Sequence, residues 1–299
     1  PLRAEQRVPV WEAIRHVTDE LRKAGQHTHL QIADAAAQVL VGRAERPYRH
    51  VIIDEAQDLH PVQWRLLRAA AATGPDDLFI VSDPHQRIYD NHVSLQSLGI
   101  EVRGRSRRLT LNYRTSQEIL SWAVGLLRGV TPTGLDDRPD HLTGYRSPVH
   151  GRRPVVAACH DRGDEYTRLV AQVRAWLDAG VEPHAIGVAA RNGWIFRAAK
   201  DALAADGIPV SSTNASRSRA VRVGSMHAMK GLEFRCVAVV GVDAGTVPAS
   251  GAVTAAEEDQ VAHTHDLQRE RCLLFVACTR ARDFLYVSYT GQPSPFLPS

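Results

Sequence analysis

The stretch Val51-Ile52-Ile53-Asp54-Glu55-Ala56-Gln57-Asp58 decides the fold. Three β-branched residues make an apolar run too short for a helix, which reads as a buried parallel strand. Carboxylates follow it at once. In an open α/β sheet ligands sit beyond the carboxyl ends of the strands, so Asp54 and Glu55 are expected at the mouth of a site and not in a core. There a carboxylate can hold Mg²⁺, directly or through its waters, and its neighbour can polarise an attacking water. An acidic surface turn has the same pattern, and these eight residues alone do not choose between the two readings.

Working outward from that strand, residues 8 to 42 carry helical periodicity, with Val10, Ile14, Val17 and Leu21 on one stripe and Leu30, Ala33, Ala37 and Leu40 on the next, separated at Gly25. Downstream, Pro61 opens a helix whose Val62, Leu66, Leu67 and Ala70 are expected to face inward. A second buried strand, Leu78 to Ser82, runs directly into Asp83-Pro84-His85-Gln86-Arg87-Ile88-Tyr89. Arg107 to Leu111 reads as a third strand, leading into Asn112-Tyr113-Arg114-Thr115 and a helix that Thr115 or Ser116 can cap. From Gly129 to Arg153 prolines, glycines and charges replace periodicity, as in a long surface connection. A second α/β block follows, with strands at 155–158, 185–190, 207–210, 221–225, 236–240 and 284–289 and helices at 165–179, 194–205 and 267–280. Such alternation implies parallel sheets with helices on both faces.

Composition bounds the class. The chain has 299 residues, 44% of them apolar and 23% charged, enough for two domains that each bury a core. A net charge of +3 permits nucleic acid as a partner without arguing for it. The four cysteines, Cys159, Cys236, Cys272 and Cys278, show no C-x-x-C pairing, and three lie in strand-like or apolar helical runs. That pattern favours buried thiols in a reducing compartment over zinc or a disulfide framework. Residues Pro1 to Gln6 do not resemble a signal peptide and no run approaches a membrane span, so the expected location is cytoplasmic, with no membrane partner. Arg103, Arg105, Arg107 and Arg108, and likewise Arg146, Arg152 and Arg153, read as solvated basic faces and are not counted as site residues.

Five of these clusters, in this order, resemble the motif set of the UvrD/Rep family of superfamily 1 DNA helicases: Asp54 to Asp58, Asp83 to Tyr89, Leu111 to Thr115, His227-Ala228-Met229-Lys230-Gly231-Leu232-Glu233-Phe234, and Val276-Ala277-Cys278-Thr279-Arg280-Ala281. The resemblance implies two RecA-like α/β motor domains with parallel sheets flanked by helices, the first incomplete over residues 1–105 and the second over 106–299. It implies ATP and Mg²⁺ as cofactors, single-stranded or partly duplex DNA as partner, and 3′-to-5′ movement in DNA repair or recombination. By resemblance Asp54 holds the metal, Glu55 is the base for the attacking water, and Gln86 senses the γ-phosphate. Arg114 and Arg280 resemble paired arginine fingers from the second domain, a role suited to a planar, permanently charged donor. Tyr113 would stack on adenine and Glu233 would receive the ribose hydroxyl. Tyr89, His227 and Lys230 lie where the family meets DNA. Against these stand a helix-capping arginine for Arg280, a core-edge aromatic for Tyr113 and a solvated turn for His227 and Lys230.

The departures also carry expectations. No stretch of the form G-x-x-x-x-G-K-[ST], whose backbone amides and lysine hold the β and γ phosphates, occurs in the 299 residues. The chain is therefore read as a fragment lacking the phosphate loop, with poor ATP affinity and no DNA-stimulated ATPase by itself. Its incomplete first domain is expected to expose an apolar sheet edge or face, which self-association or a partner chain would cover. Where the family places an aromatic and an arginine after Tyr89, Asn91 and His92 stand here, so one stacking contact to DNA is weakened. Between Val210 and Val221 there is no room for a large accessory domain. The rival readings are a nucleotide-incompetent DNA- or protein-binding module on a motor fold, and a metal-dependent nuclease built on Asp54, Glu55 and Asp58. The second of these leaves the arginines without a purpose.

Overall fold

A computed structural model describes residues 4–89, 93–130, 132–213 and 219–298. The chain divides into two compact units, Pro1–Ser106 with Thr133–Pro139, and Arg107–Pro132 with Asp140–Ser299.

In the first unit α1 (Ala4–Lys23) and α2 (His29–Val41) are separated at Gly25, whose φ of +66° is the left-handed conformation glycine adopts without strain. Thr28 caps α2 reciprocally with Gln31, each side chain accepting from the other's backbone N–H. β1 (Val51–Ile53), α3 (Pro61–Ala70) and β2 (Leu78–Ile80) follow. Pro61 sits in the first turn of α3 and His60 caps it. β1 and β2 pair in parallel, with Val51 opposite Leu78, Ile52 opposite Phe79 and Ile53 opposite Ile80.

Ile53, Ala56, Trp64, Val93, Leu95 and Ile100 form the small core of this unit. The apolar positions singled out on α3 are only partly right. Ala70 is buried and Val62, Leu66 and Leu67 are half-buried, while the residue that fills the core is Trp64, with no exposed surface. The two strands also differ from the fully buried strands expected. Ile53 is buried, but Ile52 is 77% exposed and Phe79 63%, because successive strand residues face opposite sides and the described part of the unit covers one side alone.

The expected strand over 107–111 does not form. Leu111 makes a single parallel bridge with Arg146 in the irregular connection, and Leu109 is 82% exposed. Without a neighbouring strand the backbone of 107–110 has no ladder to join, whatever its local preference.

The second unit holds α4 (Gln117–Leu126), β3 (Val155–Cys159), α5 (Arg162–Asp178), β4 (Ile186–Ala190), α6 (Gly193–Ala205), β5 (Val210–Ser212), β6 (Val221–Ser225), β7 (Phe234–Val240), α7 (Gln260–Cys278) and β8 (Ala281–Thr290). Six strands pair in parallel in the order β3-β8-β7-β4-β6-β5. Leu169, Val173, Ile195, Ala199 and Leu203 of α5 and α6 pack on Ile186, Val188, Cys236 and Ala238. The alternate residues Ala189, Val237, Val239, Leu285 and Val287 are equally buried, as happens when helices cover both faces of a sheet, and α7 lies against β7 and β8. α7 begins seven residues earlier than its apolar pattern suggests, because Asp259 accepts hydrogen bonds from the Val261 and Ala262 N–H groups and starts the helix in a polar stretch. All four cysteines are buried, and burial pushes the Cys236 thiol up to about 12.

Candidate functional site

Because β1 and β2 are parallel and in register, the residues that follow them emerge at one edge. Asp54 and Glu55 leave β1 exposed to solvent. Glu55 has φ +51°, a left-handed conformation that costs a non-glycine residue roughly 1–2 kcal/mol, and Asp54 Oδ1 accepts its N–H at 2.8 Å. Gln57, buried, holds this turn. Its amide nitrogen donates to Glu55 Oε2 and its oxygen accepts the Asp83 N–H at 3.0 Å, so one side chain ties the end of β1 to the end of β2.

Asp83 organises the second loop. Oδ1 accepts the His85 N–H at 2.9 Å and Oδ2 accepts from Gln86 Nε2 at 2.8 Å, while the His85 ring Nδ1 lies 3.4 Å from Oδ1. Burial pushes the Asp83 carboxyl up, but the hydrogen bonds from His85 and Gln86 outweigh it and hold the group below the usual carboxylate range. Asp54, Glu55 and Gln86 thus come together, with the Gln86 amide engaged on Asp83. Tyr89 is 46% exposed just beyond, and the expectation for Asn91 and His92 lies outside the described residues.

In the second unit three separate segments are stitched side by side. Asn112 Oδ1 accepts the N–H groups of Arg114 at 2.8 Å and Thr115 at 3.1 Å, folding the loop tightly. Thr115 Oγ1 donates to the Thr279 carbonyl, Ser116 N–H to Arg282, and Phe234 N–H to Arg280. Arg114 and Glu233, 119 positions apart in sequence, meet in an ion pair of 2.5 Å. Tyr113 beside them is 73% exposed, which removes the core-edge reading. Arg280 is 3% exposed and its Nε donates to the Val276 carbonyl at 3.0 Å, so part of its guanidinium closes the C-terminus of α7.

His227 and Lys230 stand on and just after a 3-10 turn (His227–Met229) that follows β6. Both are half-buried and so are more than a solvated turn. Burial first, then the neighbouring Arg191 cation, lowers the His227 pKa and so favours the neutral ring. Arg191, at the end of β4, forks onto both carboxylate oxygens of Glu270 on α7, and Glu270 also accepts the Ala249 N–H.

Sequence reasoning missed that pair, and it missed Gln57 and Glu165. Glu165 has no exposed surface and accepts from the Arg162 guanidinium, the Gly241 N–H at 2.9 Å and the Ser288 hydroxyl at 2.7 Å. Gly241 and Ser288 lie 76 and 123 positions away in sequence, so no local spacing reveals them.

Among the described residues no group of three or more His, Cys, Asp or Glu is placed to hold a metal ion. Mg²⁺ is usually bound by one or two carboxylates together with substrate phosphates, and the solvent-facing Asp54 carboxylate fits that mode.

These features define an α/β protein whose parallel sheets are flanked by helices and carry polar loops at the strand ends, and comparison with known proteins narrows it. The UvrD/REP helicase N-terminal domain matches residues 22–93, and the UvrD-like helicase C-terminal domain matches 211–292. The YjcD protein of Bacillus subtilis, whose name assigns it to the ATP-dependent DNA helicases, is 37% identical over 234 residues, covering 73% of this chain and 29% of YjcD. A Mycoplasma pneumoniae protein named as a DNA helicase is 25% identical over 245 residues, covering 80% of this chain and 43% of its own length. A solved C-terminal domain of a possible DNA helicase from Lactobacillus plantarum aligns with a TM-score of 0.44 at 20% identity, over 62% of this chain and 92% of that one, a likeness too slight to add to the fold argument. The chain belongs to the UvrD/Rep-like helicase family. It spans less than half the length of these two curated relatives.

The depressed Asp83 carboxyl gives a signed expectation. A group whose pKa falls on folding stabilises the native state above its unfolded value, about 3.9 for Asp, and that contribution fades as pH drops through the lower folded value. Asp83→Asn should therefore lower the urea midpoint at pH 7, and the gap from the wild type should narrow as pH approaches 3. A gap independent of pH would remove the charge of Asp83 from the account.

Proposed function

We propose that this chain is the motor portion of an ATP-dependent translocase or helicase that moves 3′ to 5′ on single-stranded DNA, working in the cytoplasm in DNA repair or recombination. The observation that carries the reading is the grouping of chemistry by strand end: Asp54, Glu55 and Gln86 at one edge of the first unit, and Arg114, Glu233 and the Arg280 segment stitched together in the second. Phosphoryl transfer needs little covalent chemistry from a protein. It needs a metal-holding carboxylate, an oriented water and fixed cations.

In this reading Asp54 holds Mg²⁺, which neutralises phosphate charge. Glu55 accepts the proton of the attacking water, with its carboxylate pinned by Gln57. Gln86 senses the γ-phosphate by exchanging its bond to Asp83 for one to the nucleotide. Arg114 and Arg280 neutralise developing charge, and Arg114 gives up Glu233, which is then free for the ribose hydroxyl. Tyr113 offers its exposed ring to adenine, while Tyr89, His227 and Lys230 relate nucleotide state to DNA. The 299 residues carry no Gly-rich phosphate loop, so alone they are proposed to hold ATP weakly and to turn it over slowly.

The test is strand displacement by the complete gene product on a duplex with a single-stranded tail. Unwinding that requires ATP and a 3′ tail is expected. Unwinding from a 5′ tail alone would reverse the polarity, and no ATP-dependent unwinding or translocation on either would favour a nucleotide-incompetent binding module.

We also propose that the uncovered face carrying Ile52 and Phe79 drives self-association of this chain. Sedimentation velocity should give a concentration-dependent rise in mass for the wild type and a monomer for Phe79→Asp. A wild-type monomer up to about 100 μM would refute it, since contacts of ordinary transient strength associate below that range.

A further inference from the structure

The first unit has a second concave surface, at the amino ends of its strands and thus away from the edge that carries Asp54 and Asp83. It is a groove of about 1330 Å³, formed where the C-terminus of α2, the approach to β1 and the segment between α3 and β2 meet. That exceeds the ~300–1,000 Å³ of most small-molecule pockets and suits an extended ligand.

Its lining is basic. Arg43, Arg46, Arg49, Arg65 and Arg68 face it, against two acids, Asp34 and Glu45. Three of the arginines are engaged: Arg46 donates to the Leu40 carbonyl, Arg65 pairs with Asp34, and Arg68 pairs with Asp77. Arg43 and Arg49 are exposed and make no ion pair or side-chain hydrogen bond among the described residues. Tyr48 lines the same groove. Its N–H donates to the Ala70 carbonyl at 3.1 Å and its backbone bridges Ala71 in parallel, which fixes where the ring begins, and the residue is nevertheless 61% exposed.

An exposed aromatic on an anchored backbone, in the same groove as uncommitted guanidinium groups, is a combination suited to single-stranded nucleic acid. An aromatic ring stacks on a base of any identity, and arginines in the same groove meet backbone phosphates. An acidic peptide would satisfy the charges but would leave the ring without a π-face to meet. We propose that this groove is a binding site for single-stranded DNA, separate from the motif residues Tyr89, His227 and Lys230. The choice of DNA as ligand rests on the proposed function, while binding here requires neither ATP nor turnover.

The experiment is fluorescence anisotropy of a labelled 20-nucleotide oligo-dT with the full 299-residue chain, without nucleotide, across a salt series. Arg43→Ala/Arg49→Ala should weaken binding about tenfold and reduce the slope of log K against log salt by about 1.4, two phosphate contacts at ~0.7 each. Arg43→Lys/Arg49→Lys should keep the slope, since a charge remains at each position. Tyr48→Ala should weaken binding about tenfold at unchanged slope. Circular dichroism melts matching the wild type keep these effects apart from unfolding.

If the wild type binds oligo-dT but all three variants bind it equally, the groove is overturned and the DNA-handling reading stands. Absence of wild-type binding overturns the groove and counts against that reading as well. Failure to bind oligo-dT together with tight binding of a poly-glutamate peptide, lost in the alanine variant, overturns DNA in favour of an acidic protein partner.

Discussion

Parallel pairing is the constraint on which the rest depends. A parallel ladder sends every strand in one direction, so each loop that follows a strand opens at the same edge of its sheet. In the first unit that geometry brings Asp54-Glu55 and Asp83-Gln86 within reach of one buried amide, Gln57. In the second it sends His227, Arg191 and Gly241 to one edge and leaves the segments around Arg114, Glu233 and Arg280 to be joined by backbone hydrogen bonds. Shifting β1 by one residue would turn Ile53 out of the core and move the carboxylates that follow it relative to Asp83.

Charge inside the second unit is handled by full pairing. Glu165 is buried with three donors around it, and Arg162 serves both Glu165 and Asp243 beside the exposed ring of Trp194. Glu270 takes a two-pronged contact from Arg191. Removing one member of such a buried set leaves an uncompensated charge, which typically costs about 3–5 kcal/mol. The Arg114–Glu233 pair differs in kind. Its side chains are 45% and 57% exposed, so solvent screens it and it contributes little to stability. A weak, exposed pair is easy to exchange for other contacts.

Much of this was legible in the sequence because the motifs are local. Val51 to Asp58 and Leu78 to Tyr89 each carry a strand and the polar loop that follows it in a dozen residues or fewer, and alternation of strands with helices marks the second sheet. Legibility failed where structure depends on remote partners. Arg107 to Leu111 has strand-like composition but finds only Arg146 to bridge. The helical stripe points to Leu66 and Leu67, yet it is the Trp64 ring that fills the core. Gln57 sits inside a motif noted for its acids, and nothing nearby in sequence says that its amide reaches Asp83. The arginines at 43, 46 and 49 were not singled out because they are spread among turn residues, and their common groove exists only once α2 and α3 pack.

The proposed role of Glu55, at the carboxylate edge of the first unit, is that of general base toward a bound nucleotide. It is tested most directly by Glu55→Gln in the complete gene product, measuring DNA-stimulated phosphate release alongside nucleotide affinity. Turnover should fall by a factor of about 10² or more with affinity nearly unchanged, the scale for removing a positioned base while keeping its shape. Turnover equal to the wild type would contradict it.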